Sequence, residues 1–351
     1  MTTIQTKKQK MNTLRTFIAI LIMAISTFSC SNDDGDLNYN NNSFVYIETA
    51  SFQDYSGNSK LLVSDGNNTR PIKILNKRIQ YQIIDSKIVF LDGQDIIEFN
   101  PKSNKTRIIA NLPNILIHSF HVSPNMDNLA FSNYEDIFIV ELNSGTMKNI
   151  TEHLEGNFRI PKWSPDGNSL LVRNGIPIVG PNDEAPTSTG NFKVFSLSQQ
   201  SFQDIEMFDQ FASPGNAEWS PDSKLIAYGQ YQAIFTFDIE NRQLKRITSQ
   251  EVVATNPKFS TDGSKMSYFS SDLSDNGNNW QNFLTIYDIS NNSSKIVNDI
   301  YSYDVSWKYD SSETLYCTKT GIFSYNLSNG TISQIVNSNE SIFLHSVKFL
   351  N

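Results

Sequence analysis

Short apolar runs recur along most of the chain, many alternating apolar with polar residues and broken by Gly, Asn, Asp, Ser or Pro at about ten-residue spacing. Period-two alternation bounded by turn residues predicts antiparallel β-meanders rather than helices. One unit shows the pattern in full. Leu225-Ile-Ala-Tyr228 is followed by Ile234–Ile239, then by the polar turn Glu240-Asn-Arg-Gln243 and a further run, Leu244–Thr248. The same run-turn-run order returns as Ile137–Leu142 with Met147–Thr151, as Phe283–Ile289 with Lys295–Val297, and as Gly321–Leu327 with Thr331–Val336.

The meanders repeat. Val122-Ser-Pro-Asn125, Trp163-Ser-Pro-Asp-Gly167, Trp219-Ser-Pro-Asp-Ser223, Phe259-Ser-Thr-Asp-Gly263 and Trp307-Lys-Tyr-Asp-Ser311 share one design, and Ile84-Asp-Ser86 is a degenerate copy. Their anchors, Asp85, Asn125, Asp166, Asp222, Asp262 and Asp310, lie 40, 41, 56, 40 and 48 residues apart. A strand ends in an aromatic or apolar residue. Pro then fixes φ, Asp bonds back to the backbone, and Gly accepts positive φ, so the chain reverses into a second strand. A lone four-stranded meander cannot cover both its faces, whereas radial stacking and ring closure do so. The expected fold is therefore all-β, a seven-bladed propeller, with six blades if 79–112 is not a unit. The aromatic before each turn is expected to pack between blades.

Closure is expected at the termini. Phe44–Thr49, Lys60–Ser64 and Thr69–Leu75 look like the second, third and fourth strands of a unit that lacks its first. Leu344-His-Ser-Val-Lys-Phe349 matches a first strand such as Ile117-His-Ser-Phe-His-Val122, with nothing after it. The blades then read 44–75 with 343–350, 79–112, 116–151, 158–206, 214–248, 254–297 and 302–336.

An aromatic followed by Ser-Pro-Asp-Gly and a Leu-Ile-Ala-Tyr strand resembles the TolB-like, WD40-like (PD40) propeller family over about 44–350. The resemblance implies a propeller. It implies little about activity, because that family spans binding scaffolds, peptidase-attached propellers and lyases.

The leader adds a location. Lys7, Lys8, Lys10 and Arg15 precede an apolar run from Phe17 to Ile25, long enough for a signal peptide and too short to span a bilayer. Ser26-Thr-Phe-Ser-Cys30 resembles a lipoprotein lipobox. Residues 1–30 are thus expected to be a signal peptide starting at Met1 or Met11, with Cys30 lipidated. Residues 31–43, acidic at Asp33, Asp34 and Asp36 and Asn-rich beyond, read as a solvated tether. The acidic cluster also resembles the surface-export signal of Bacteroidota lipoproteins. The propeller would occupy 44–351, held at the outer membrane by the lipid alone, either at the cell surface or facing the periplasm.

Composition narrows function. The 351 residues carry a net charge of −8, and outside the leader the basic residues are scattered, which argues against nucleic acid. With Cys30 lipidated, the second cysteine, Cys317, has no partner and sits in the apolar run Leu315-Tyr-Cys317, as a small core residue would. No Gly-x-Ser-x-Gly elbow, P-loop or dinucleotide fingerprint is present. No cofactor is expected, and the protein is expected to be a monomer.

In a four-stranded blade, the loops into the first strand and between the second and third strands share one face, opposite the Ser-Pro-Asp turns. Three long stretches fall on this strand-entrance face: Ser51–Ser59, Asn174–Gly190 and Ser271–Gln281. They mark the expected contact face. His118 and His345 sit at equivalent entrances, with Arg159, Gly215, Thr255 and Tyr303 in the other units. His118, His345, Arg159, Tyr303 and the loop residue Trp280 are the candidate ligand contacts. No catalytic residue is assigned. His118 and His121 face opposite sides of a strand and make a poor metal pair. Asp272, Ser274 and Asn276 form a weak calcium-like loop with no Glu at its twelfth position, where Phe283 stands. The expected role is a non-catalytic module contacting an envelope protein or glycan. The alternative is an enzyme on acidic glycans, resembling propeller-type oligogalacturonide lyases, which would need a histidine-rich metal cluster.

Overall fold

In the computed structural model, the described residues are 39, 42–49, 59–75, 79–178, 187–208, 215–272, 282–297, 301–338 and 342–350. They form seven four-stranded antiparallel sheets with no helix among them. Each sheet is one blade of a seven-bladed propeller, and the unit at 79–112 is a full blade. The innermost strands are Phe343–Phe349 (blade 1), Tyr81–Ile84 (blade 2), Ser119–Val122 (blade 3), Asn157–Trp163 (blade 4), Ala217–Trp219 (blade 5), Val252–Phe259 (blade 6) and Ser302–Trp307 (blade 7).

Blade 1 is completed from both chain ends. Its sheet runs Phe343–Phe349, Phe44–Thr49, Ser59–Ser64, Thr69–Leu75, with Phe44 opposite Phe349 and Val45 opposite Lys348. Leu350 N–H donates to Ser43 O at 2.8 Å. This closure leaves the ring without an exposed first or last blade. The anchoring begins at Tyr39, which accepts a hydrogen bond from Arg70 and packs against the blade 1–2 core.

The Ser-Pro-Asp turns work by satisfying their own backbone. Ser164 Oγ donates to Asp166 and accepts the Ser169 N–H at 2.9 Å, and Ser220 and Ser260 repeat the arrangement. The fourth position is left-handed in five turns, at Met126, Gly167, Ser223, Gly263 and Ser311. Where serine stands there, it also reaches the neighbouring turn: Asp166 N–H donates to Ser223 Oγ at 3.1 Å and Asp262 N–H to Ser311 Oγ at 3.0 Å.

The aromatics before these turns are buried between blades. Each tryptophan indole donates to the blade before it, and always to the residue preceding that blade's own aromatic or apolar end. Trp163 bonds His121 O at 3.1 Å, Trp219 bonds Lys162 O at 3.1 Å, and Trp307 bonds Lys258 O at 3.3 Å. The cores lie in the seams. Ala130, Ile137 and Ile139 of blade 3 pack with Phe158, Trp163 and Leu170 of blade 4. Cys317 is fully buried between blades 7 and 1 beside Phe44 and Val347.

One expectation changes. The stretch 174–190 is not simply a loop, because the second and third strands of blade 4 run on as Ser169–Ile178 and Thr187–Ser196. Pro177 pairs with Ser188 in this extended ladder, and Gly175 faces Gly190. The Pro-rich composition suggested irregular chain, but Pro177 is tolerated at an extension of the ladder beyond the blade's body.

Candidate binding face and central channel

The inner strands surround a channel that opens on the strand-entrance face into a cavity of about 410 Å³. Its lining includes Gln82, His121, Lys162, Lys258, Asp304 and Lys348, one from each blade except blade 5, which contributes Asn216.

Three of these are lysines placed by the same device. The inner strands of blades 4, 6 and 1 each break register at a residue with positive φ, namely Ile160 (54°), Asn256 (54°) and Ser346 (56°). Two residues later in each strand stands Lys162, Lys258 or Lys348. A β-bulge re-aims the side chains that follow it. A left-handed β-branched residue such as Ile160 is a steric outlier that the surrounding fold must hold in place.

Each lysine then clasps the next blade. Lys162 Nζ donates to Ala217 O at 2.6 Å and pairs with Glu218 at 3.0 Å. Lys258 Nζ donates to Val305 O at 2.6 Å and pairs with Asp304 at 3.1 Å. Lys348 Nζ donates to Tyr81 O at 3.0 Å and lies 4.7 Å from the Tyr81 ring centroid. The other seams use neutral groups or carboxylates. Gln82 bonds both N–H and C=O of Val122, His121 Nδ1 accepts the Trp163 N–H at 3.2 Å, and Asp304 accepts the Val347 N–H at 2.9 Å.

The electrostatics follow from these clasps. Burial pushes the His121 pKa down to about 3, helped by Lys162 and Lys348, so the ring is neutral. Burial would raise Glu218, but Lys162 holds it below the ordinary carboxylate range. Burial also disfavours the Lys258 charge, yet Asp304 and Glu218 lift its pKa above the usual value. Lys348 differs: burial, reinforced by Lys258, brings it down to about 8.

The candidate contacts occupy different places. His118 lines the cavity and stacks on Tyr134 (centroids 3.8 Å apart), and the Arg159 guanidinium lies 5.6 Å from the same ring. These two candidates thus share one cluster at the rim between blades 3 and 4. Tyr303 is a clasp: its hydroxyl lies 2.7 Å from Leu344 O and 2.8 Å from Thr318 O and shares its one hydrogen between them, and burial raises its pKa. Phe343 stacks on Tyr303 and leans on the His345 ring, so these two candidates sit together in the seam of blades 7 and 1. Trp280, Ser274, Asn276 and Cys30 lie outside the described residues, while Asp272 ends the second strand of blade 6. Among the described residues no three His, Cys, Asp or Glu side chains converge as metal ligands.

Sequence reasoning did not find the exposed aromatics of this face. Tyr134, Phe208, Tyr231 and Tyr301 are exposed at 43, 56, 58 and 37% and all belong to strand-entrance loops, as do Leu116 and Leu154. On the turn face, Tyr309 is the exposed large hydrophobic among the described residues. Tyr134 (φ 81°) and Tyr231 (φ 48°) occupy the left-handed region at hairpin tips, where glycine or asparagine is the unstrained choice. Phe208 stacks on Phe235 and meets Tyr231 edge-on, while Lys319 sits over the Tyr301 ring.

No family model matches the chain, and no curated protein matches it. Solved structures share its fold. An oligogalacturonate lyase from Vibrio parahaemolyticus superposes with a TM-score of 0.59 at 11% identity, covering 84% of this chain and 85% of that one. A second oligogalacturonate lyase structure, in complex with manganese, gives the same TM-score and identity. The tricorn protease superposes at 0.58 and 12% identity, covering 89% of this chain but 36% of that one. TolB from Acinetobacter baumannii superposes at 0.49 and 14% identity. Identities this low speak for the fold alone. His121 Nδ1 accepts the Trp163 N–H and is therefore not open to a ligand.

Proposed function

We propose that this chain is a non-catalytic binding module of the bacterial cell envelope that engages a protein or glycan with its strand-entrance face. In this reading Cys30 carries a lipid, residues 31–43 form the tether, and the propeller is a monomer displayed at the outer membrane. The observation that carries the reading is the pair of exposed tyrosines, Tyr134 and Tyr231, held at positive φ on hairpin tips of one face. A bulky residue in that region stores strain that an unselected surface turn would relieve with glycine. Exposed aromatics rimmed by cations, here Arg159 beside Tyr134 and Lys319 beside Tyr301, are the usual composition of a contact surface.

The clasped channel residues support the non-catalytic part. The neutral His121, the Lys162–Glu218 pair and the Lys258–Asp304 pair are engaged in holding blades together. The test is capture from envelope extracts and binding to a glycan panel by the detergent-solubilised full chain, with and without the substitutions Tyr134→Ala, Tyr231→Ala and Tyr301→Ala. Capture or glycan binding lost in the triple variant, with its melting temperature kept, supports the reading. Binding that survives the triple variant contradicts it.

A further inference from the structure

The channel cavity holds three lysines but only two carboxylate partners among the described residues. Lys162 pairs with Glu218 and Lys258 with Asp304. Among the described residues Lys348 is in no ion pair; it meets the Tyr81 carbonyl and the Tyr81 ring face. A carbonyl takes one of its three hydrogens and a ring face gives a weak electrostatic contact. Neither neutralises the cation, which is half-buried in the channel wall, and a desolvated charge without a counterion is costly.

The carboxylate of Asp304 does not fill the gap. Its Oδ1 accepts from Lys258 and from the Val305 N–H, and its Oδ2 accepts from the Val347 N–H. Other groups at the cavity wall are donors or neutral. Ser119 Oγ accepts the Ile160 N–H, which leaves its own O–H to point elsewhere. Gln80 and Asn216 add amides, and His118 lines the mouth. The titratable and charged groups around Lys348 are thus Lys162, Lys258, Glu218, Asp304, His118, His121, His345 and Tyr81.

From this arrangement we infer that the channel cavity is a binding site for a small oxyanion, a carboxylate or a phosphate, with Lys348 as its counter-charge. The site is fixed by geometry: the Ser346 bulge aims Lys348 into a space of about 410 Å³ that opens on the strand-entrance face. Tyr134, Tyr231 and Tyr301 do not line it, so its failure and that of the contact-face reading can be told apart. Binding weakens as pH rises through about 8, where Lys348 loses its proton; a bound anion would shift that point upward.

The experiment titrates the full chain with acetate and with inorganic phosphate at fixed ionic strength, by calorimetry. Acetate and phosphate arms separate a carboxylate from a phosphate site. The expected result is saturable binding of one of them, weakened about tenfold or more by Lys348→Gln and largely retained by Lys348→Arg. Ser223→Gly, on the turn face, leaves it unchanged. Because Lys348→Gln could perturb folding, reductive methylation of the wild-type chain is a second readout, with mass spectrometry locating Lys348. Protection of Lys348 by the bound anion supports the site. No saturable binding of either ion, or binding and labelling indifferent to Lys348, overturns it.

Discussion

The two faces of this propeller are built to different rules. On the turn face, Ser164, Ser220 and Ser260 each satisfy their own turn's backbone, and Ser223 and Ser311 tie one turn to the next. In the Ser-Pro-Asp turns and their variants the left-handed position is glycine at Gly167 and Gly263, a serine that gains a bond from being there at Ser223 and Ser311, and methionine at Met126. On the strand-entrance face the left-handed positions include Tyr134 and Tyr231, whose side chains are spread toward solvent. On the turn face Ser223 and Ser311 tie turn to turn from left-handed positions, whereas toward the strand entrances such positions either aim clasp lysines, at Ile160, Asn256 and Ser346, or display an aromatic, at Tyr134 and Tyr231. Stability and binding should therefore separate by face when each is disturbed.

The largest effect is expected where the turn side meets the core. Trp219→Ala removes a buried indole from the blade 4–5 seam and its bond to Lys162 O, and should cost about 3–5 kcal/mol in denaturant unfolding. Partner binding by the remaining folded fraction should be unaltered.

His121→Leu comes next. It leaves the Trp163 N–H without its acceptor and should cost about 1–3 kcal/mol. It also changes the pH profile. His121 has a folded pKa of about 3, below its unfolded value near 6.5. Between those values the unfolded chain binds the extra proton, so the contribution is present above about 6.5 and is lost as pH falls toward about 3. Urea titrations across that window should show a shallower acid loss in His121→Leu than in wild type.

Ser223→Gly sharpens the comparison further. Glycine suits the left-handed position but cannot accept the Asp166 N–H, so the net destabilisation should stay within about 1 kcal/mol. On the opposite face, Tyr134→Gly and Tyr231→Gly relieve positive φ and should raise stability by up to about 1 kcal/mol, seen as a higher melting temperature. The same substitutions should abolish partner capture.

This asymmetry also explains what the sequence disclosed. The turn face was legible because Ser-Pro-Asp chemistry demands particular residue types at fixed offsets, and Trp163, Trp219 and Trp307 mark three of the seams. Closure was legible because 344–349 copies 117–122. The channel was less so. The residue before four of the five strand-ending aromatics is charged, Lys162, Glu218, Lys258 and Lys348, with Ser306 the exception, a recurring charge that could have been noticed. Its direction could not, since it depends on bulges at Ile160, Asn256 and Ser346, none of them glycine. Attention to strand entrances found His118 and Arg159 near the mouth but missed Tyr134 between them, because an exposed tyrosine in a polar loop has no periodic signature. Tyr303 looked like a mouth residue, yet whether its hydroxyl points to solvent or to Leu344 O is decided by blade packing.

The most direct test of the central claim is hydrogen exchange on the full chain with its captured partner bound. The account predicts added protection in the strand-entrance segments holding Tyr134, Tyr231 and Tyr301, with the turns at 164–168, 220–224 and 260–264 unchanged. Protection confined to those turns would contradict it.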